Sequence, residues 1–236
     1  MNDYTIIVPT RNNLKFANDF LQNCLNTSTY DIILIDDFSD TKLDYIDDSR
    51  ITLVYNTTKQ SLTKSWNQGI KLSKTNNVII CSHKARPSSN DFVKNNDLLN
   101  QGFGLVALNG FHFFSFNKYL LTKIGFFDEG FKSGYFEDND CLNKLVVNDI
   151  SYYLTEEMLD IRGNSSWEHL WAENQRYYFS KWIESGETII QVKNDENFED
   201  IHYYKNIQPR DYTSHKNSIH LIMSYRHYKY SKKLVE

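Results

Sequence analysis

Directly after the β-branched run Asn77-Val78-Ile79-Ile80, the chain reads Cys81-Ser82-His83-Lys84-Ala85-Arg86-Pro87-Ser88, so an imidazole and an ammonium stand side by side at the end of a short apolar stretch. A fixed cation in a water-poor place stabilises negative charge, above all charge that grows during a reaction. Further along, Phe136-Glu137-Asp138-Asn139-Asp140 sets three carboxylates at the start of a helical pattern carried by Leu142, Leu145 and Val146. Acids in a first helical turn are accounted for by capping and the helix dipole, yet positioned carboxylates are also what general acid–base chemistry uses. Another acid pair, Asp36-Asp37, closes the run Asp31-Ile32-Ile33-Leu34-Ile35. Cys24, Cys81 and Cys141 lack metal-ligand spacing and make an odd set, which suits reduced thiols in a core.

The elements that must position these groups follow from periodicity. Thr5-Ile6-Ile7-Val8 reads as a strand, and Leu14, Ala17, Leu21, Cys24 and Leu25 recur at helical spacing behind it. Residues 31–35 and 51–55 give two more strands, Leu62 to Ser73 a helix with Trp66, Ile70 and Leu72 on offer for burial, and the fourth strand ends at Cys81. Strands alternating with helices predict an α/β fold with a mainly parallel sheet covered on both faces, which binds ligands at the carboxyl ends of its strands. The loops after Val8, Ile35, Tyr55 and Cys81 are expected to meet at one rim. In the second half, Gly110 to Phe116 alternates like a strand, and Ile124 to Glu129 reads as a turn behind helical Leu120 to Lys123.

At 236 residues with 40% hydrophobic content, the chain predicts one domain over 1–236, with parts at about 1–115, 116–184 and 185–236. A net charge of −4 excludes a global basic field for nucleic acid or anionic lipid. No early segment approaches the ~20 apolar residues of a membrane span, and Met1-Asn2-Asp3 lacks the basic start of a signal peptide. A soluble, cytoplasmic protein is expected. The basic and aromatic stretch His215 to Lys233 reads as a helix docked on the domain, in preference to a membrane-surface patch.

The blocks "YTIIVPTRNN", "DIILIDDFSD", "SLTKSWNQGI" and "IGFFDEGFKSGYFEDNDCLNKL", in this order, resemble family 2 glycosyltransferases of the GT-A fold, whose sheet is single, Rossmann-like and mixed. The later "GNSSW" and "NQRYYFSKWI" are similar to the tail of rhamnosyltransferase-like members, so the resemblance covers about residues 4 to 183. A sugar-nucleotide pyrophosphorylase fits less well, because its glycine-rich loop after strand one is absent. The resemblance implies a nucleotide-sugar donor, a glycan or other hydroxyl acceptor, and inversion at the anomeric carbon. Asp138 is then the base, with Glu137 fixing it or binding acceptor, and Asp140 a helix or salt-bridge residue.

On the donor side, the resemblance puts backbone at Pro9 and Thr10 on the carbonyls of a uracil or thymine and Asp37 on its N3–H. Asp36 either orients its loop, as a turn-capping Asp before Ser39, or reaches the ribose. Arg11 stacks on the base, touches phosphate, or is a plain surface arginine, and Asn67 supports the rim by hydrogen bonds.

Relatives carry an acid pair for Mg²⁺ or Mn²⁺ where this chain has Ser82, His83 and Lys84, and a metal-binding His where it has Ile161-Arg162. The expectation is a donor site that requires no metal or other cofactor. Lys84 replaces the ion, His83 or Arg162 helps, and Ser82 meets ribose or phosphate; failing that, the loop is solvated and Lys84 points outward. Two other readings stay open: a sugar-nucleotide binder without catalysis, and an assembly partner using Trp167, Trp171 and Trp182 as interface aromatics. The donor sugar itself is not legible.

Overall fold

Tyr4-Thr5-Ile6-Ile7-Val8-Pro9-Thr10 is largely apolar on both faces, as a strand covered above and below must be, and every residue of it is buried as β1 (Tyr4–Thr10). A computed structural model describes residues 4–41, 44–155, 160–161, 168–182, 188–191, 201–204 and 218–221. After β1 come α1 (Leu14–Thr27), β2 (Asp31–Asp36), β3 (Ile51–Tyr55), α2 (Leu62–Leu72), β4 (Asn77–Cys81), β5 (Ala85–Arg86), α3 (Ser89–Asn100), β6 (Leu105–Leu108) and β7 (Phe113–Asn117). The chain continues through α4 (Leu121–Ile124), α5 (Glu137–Val147), β8 (Tyr152–Thr155), β9 (Asp160–Ile161), α6 (Glu168–Trp182), β10 (Thr188–Gln191), β11 (Ile201–Tyr204) and β12 (Ser218–Leu221).

The main sheet has the order β11-β8-β6-β7-β4-β1-β2-β3. β1, β2, β3 and β4 run parallel, as do β6 and β8; β7 is antiparallel to both β4 and β6. The carboxyl ends of β1, β2, β3, β4, β6 and β8 therefore share one edge. Pairing of β1 with β2 continues to Thr10↔Asp36, whereas pairing with β4 stops at Ile7↔Ile80. Pro9 accounts for the asymmetry, because it has no N–H to give a ladder. The ends of β1 and β4 part where successive strands turn to opposite sides of β1, which is the crevice such sheets use for ligands.

Helices cover both faces. On one, Phe20, Leu21 and Cys24 of α1 and Phe92 of α3 pack on Ile6, Val8, Ile32 and Leu34. On the other, Trp66 and Ile70 of α2 and Leu142 and Leu145 of α5 pack on Ile7, Ile35, Ile80 and Phe114. Gly69 lets α2 approach β1 closely: a Cβ there would lie 2.3 Å from Ile7 Cγ2. α2 starts on Ser61, whose side chain accepts from Lys64 N, and α3 on a reciprocal capping box of Ser88 and Asp91. The cysteines are free and buried.

The aromatic stretch begins as a 3₁₀ turn at Gly110–His112 and becomes a strand at Phe113. At the C-terminus, Ser218–Leu221 forms β12, paired in parallel with β10, so this part of the expected docked helix is a strand; residues 205–217 and 222–236 lie outside the described residues. Among the described residues, no helix is long and apolar enough to cross a membrane.

Candidate active site

Two loops form one wall of the crevice, and they are laced together. Asp37 N–H donates to Thr10 O at 2.8 Å, Arg11 Nε to Phe38 O at 3.1 Å, and Asn12 exchanges hydrogen bonds with Ser39 Oγ and Asp40. Asp36 is buried with both oxygens committed, Oδ1 to Ser39 N and Oδ2 to the Tyr45 hydroxyl, each at 2.8 Å. It orients the turn. Arg11 is likewise drawn to Asp40, 3.3 Å away. Asp37 is half-buried; its Oδ1 accepts from Gln60 N at 2.7 Å and Asn56 Nδ2 at 3.1 Å. Those contacts fix the carboxylate and leave Oδ2 without a protein partner among the described residues. Thr10 Oγ1 is also buried there without one.

The loop after β4 forms the facing wall. Ser82 N–H donates to His112 O at 2.8 Å, and Ser82 O accepts from Ala85 N, closing a tight turn. His83 does not sit in solvent: Nδ1 lies 3.3 Å from Pro9 O and Nε2 3.3 Å from Asn13 Nδ2. The carbonyl requires a proton on Nδ1, so Nε2 accepts from the amide and the ring is neutral. Burial pushes its pKa down to about 4, with Lys84 and Arg86 adding to the effect and the Pro9 carbonyl opposing it. His83 thus bridges the gap that Pro9 opens, and the helper cation expected at this position is absent as a charge.

This arrangement has a pH consequence. The unfolded chain takes up the histidine proton below about pH 6.5 and the folded chain resists until about pH 4, so stability falls as pH drops through that window. Discounting for residual solvent contact, the loss is about 2 kcal/mol. Urea unfolding at neutral pH and near pH 4 is expected to show wild type losing that much more stability than His83→Gln; equal losses would count against a neutral buried ring.

Lys84 is half-buried, and burial lowers its pKa. Among the described residues its ammonium has neither a carboxylate nor a hydrogen-bond acceptor. A hydroxyl, a committed neutral imidazole and an ammonium do not make a site for a divalent cation, which wants oxygen ligands with negative charge. No group of three or more His, Cys, Asp and Glu is placed to hold a metal among the described residues. Arg162 and the Gly163-to-Trp167 block lie outside the described residues, as does the side chain of Trp171.

The acidic cluster reaches the same edge from the other layer. α5 ends five residues before β8, whose start pairs with the start of β6 (Leu105↔Tyr152). The helix therefore runs back along the sheet, and its first turn lies at the carboxyl edge. Glu137 is buried, with Oε2 lacking a hydrogen-bond partner among the described residues. Burial, and then the neighbouring Asp138, push its pKa well above the usual carboxylate range. Asp138 is half-buried, with Oδ1 accepting from Asn139 N at 2.8 Å. Asp140 is fully occupied structurally: Trp182 Nε1 at 2.8 Å, Lys181 Nζ at 2.6 Å and Lys144 Nζ at 3.1 Å all face it. Trp182 is a buried helix-packing residue, which removes it as an interface aromatic.

Asn67 does tie the rim together. Its amide donates to Phe127 O at 2.8 Å and Glu129 Oε1 at 2.9 Å while its oxygen accepts from Phe127 N, so α2 holds the segment leading to α5. It is a support for the site without reaching the crevice chemistry. Sequence reasoning missed Asn56 and Gln60, which aim Asp37, and Lys181, which faces both Asp128 and Asp140.

Residues 5–83, which run from β1 through β4 and end at His83 in the facing loop, match the family Glycosyl transferase family 2. The fold is GT-A. Solved structures of this GT-A fold include the mannosyltransferase PcManGT from Pyrobaculum calidifontis, determined with GDP-Man and Mn²⁺, at a TM-score of 0.61 and 15% identity. It is matched over 78% of this chain and 65% of its own. TarS 1-349 from S. aureus matches at a TM-score of 0.53 and 13% identity over 79% of this chain and 74% of its own, and its UDP-GlcNAc complex at 0.55 and 13% over 72% and 60%. The GT-A core described here thus spans a little under two thirds of the mannosyltransferase's length. No curated protein matches the chain in sequence.

Proposed function

We propose that the protein is an inverting glycosyltransferase that moves a sugar from a UDP- or dTDP-linked donor to a hydroxyl acceptor without requiring a divalent metal. The observation that carries this reading is the half-buried Lys84 ammonium, without an acid partner among the described residues, at the same sheet edge as the Glu137–Asp138 pair and directly after the family 2 match over residues 5–83. A lone half-buried cation is costly in the free protein and is offset when a diphosphate arrives. The neighbours' GDP-Man and UDP-GlcNAc support a nucleotide sugar as the class of donor.

In this reading the base of the donor lies against the wall of Pro9, Thr10 and Arg11, with Asp37 Oδ2 accepting from N3–H of a pyrimidine. Ser82 meets ribose or phosphate, and Lys84 meets the diphosphate, with Arg162 as its helper. Glu137, whose buried carboxyl resists ionisation, leaves the role of base to the more exposed Asp138. The acceptor hydroxyl loses its proton to the Asp138 carboxylate as its oxygen bonds to the anomeric carbon. The carbon–oxygen bond to phosphate breaks on the opposite face, its electron pair leaves on the nucleoside diphosphate, and Lys84 stabilises that growing charge.

A thermal-shift screen of sugar nucleotides tests the donor assignment. A ligand at 100-fold its dissociation constant stabilises by about 2.7 kcal/mol, several degrees for a chain of this size, and UDP- or dTDP-sugars are expected to head the ranking. A shift with purine nucleotides alone would overturn the role of Asp37; no shift with any sugar nucleotide would overturn the donor class.

A further inference from the structure

The turn that delivers Glu137 and Asp138 is strained. Ser133, Tyr135 and Phe136 have φ of 58°, 78° and 70°, so three of the four residues before the acid pair are left-handed, and none of the three is glycine. Each such residue is disfavoured for an L side chain unless its surroundings hold it. Phe136 is the N-cap of α5 in this conformation, without a side-chain cap, so the strained turn sets the direction in which the helix and its acids leave.

What holds the turn comes from α6. Asn174, 1% exposed, donates from Nδ2 to Lys132 O at 2.8 Å, Gly134 O at 2.6 Å and Tyr135 O at 3.2 Å, while Oδ1 accepts from Lys132 N at 2.9 Å. Two amide hydrogens are shared among three carbonyls, so the donor capacity of the side chain is used up on the backbone of three residues. One helical turn on, Tyr178 packs its ring on Phe136 with centroids 5.3 Å apart and accepts from Asn143 Nδ2 at 2.6 Å. Asn174 and Tyr178 share one face of α6, at i and i+4.

We propose that Asn174 is a positioning residue for the catalytic carboxylates: by holding the left-handed turn at 133–136, it sets where Asp138 stands relative to the acceptor. The inference rests on the proposed transferase function. It does not extend to donor binding, which belongs to β1, β2 and the loop after β4.

The test compares Asn174→Ala and Asn174→Asp with wild type in the intact chain, reading release of UDP or dTDP from their sugar nucleotides, donor affinity and Tm. Asp fills the volume of Asn and keeps one acceptor but loses all donors, turning a carboxylate toward three carbonyls. Both variants are expected to lower kcat at least about tenfold with donor affinity within about twofold, and Asp is expected to be no milder than Ala. A purely structural role gives the opposite order, with the isosteric Asp milder and kcat, affinity and Tm falling together; that outcome, or kcat within about threefold of wild type, overturns the proposal. Should Asn174→Ala fail to fold, Asn174→Ser, which keeps one donor, takes its place under the same criteria. A wild-type protein that releases no nucleoside diphosphate refutes the transferase reading itself, and is recognised before any variant is measured.

Discussion

Asp138→Asn is expected to lower turnover by about 100-fold or more while donor affinity stays within about twofold. The expectation follows from the chemistry: a positioned base contributes on the order of 10²–10⁴, and asparagine keeps the shape but accepts no proton. The carboxylate's local contact is the neighbouring Asn139 N–H, which the amide oxygen of asparagine can still satisfy, so α5 is not expected to shift. Loss of kcat with unchanged donor binding marks an interaction made only in the transition state. A variant keeping more than about a tenth of wild-type turnover would remove Asp138 from the role. Glu137 is then the next candidate, although its burial, which disfavours the charged form, argues against it.

Lys84→Ala is expected to cost more than about 1.5 kcal/mol of transition-state stabilisation, roughly tenfold in kcat/KM, the low end for a hydrogen bond to a charged group. Unlike Lys181, which faces Asp128 and Asp140, or Lys144, which faces Asp140, Lys84 has no acid partner among the described residues whose loss would confuse the measurement. Lys84→Ala is therefore not expected to destabilise the fold, and relief of a half-buried charge favours the folded state. Wild-type activity is expected to change by less than about threefold on adding Mn²⁺ or EDTA. Abolition by EDTA with rescue by metal would put the ion back into the mechanism and leave Lys84 as a surface residue.

The first half of the fold was readable because long β-branched runs and a 3.6-residue apolar period seldom conflict. β3 and β4 begin and end where the sequence pattern places them, and α2 differs by one residue. β6 and β8, only four residues each, were not readable, since so short a run serves a helix as well as a strand. α3 carried a visible signal in Ser88 and Asp91, three apart before an apolar pattern. The site was legible in its residue types and less so in their states. His83 reads as a cation until a proline carbonyl 74 positions away and an asparagine 70 positions away claim its nitrogens. Asn174 carries no signal in the sequence, because periodicity looks for apolar side chains, whereas here polar groups line the contact between α6 and α5. The turn at 133–136 has no local signature, since its left-handed positions hold Ser, Tyr and Phe and are imposed from α6.

Release of nucleoside diphosphate from UDP- and dTDP-sugars, measured in EDTA for wild type, Lys84→Ala and Asp138→Asn side by side, puts the central claim to the most direct test. The expected result is measurable wild-type release undiminished by the chelator, about tenfold less from Lys84→Ala, and about 100-fold less from Asp138→Asn. Release that appears only with added Mg²⁺ or Mn²⁺ and is indifferent to Lys84 would contradict it.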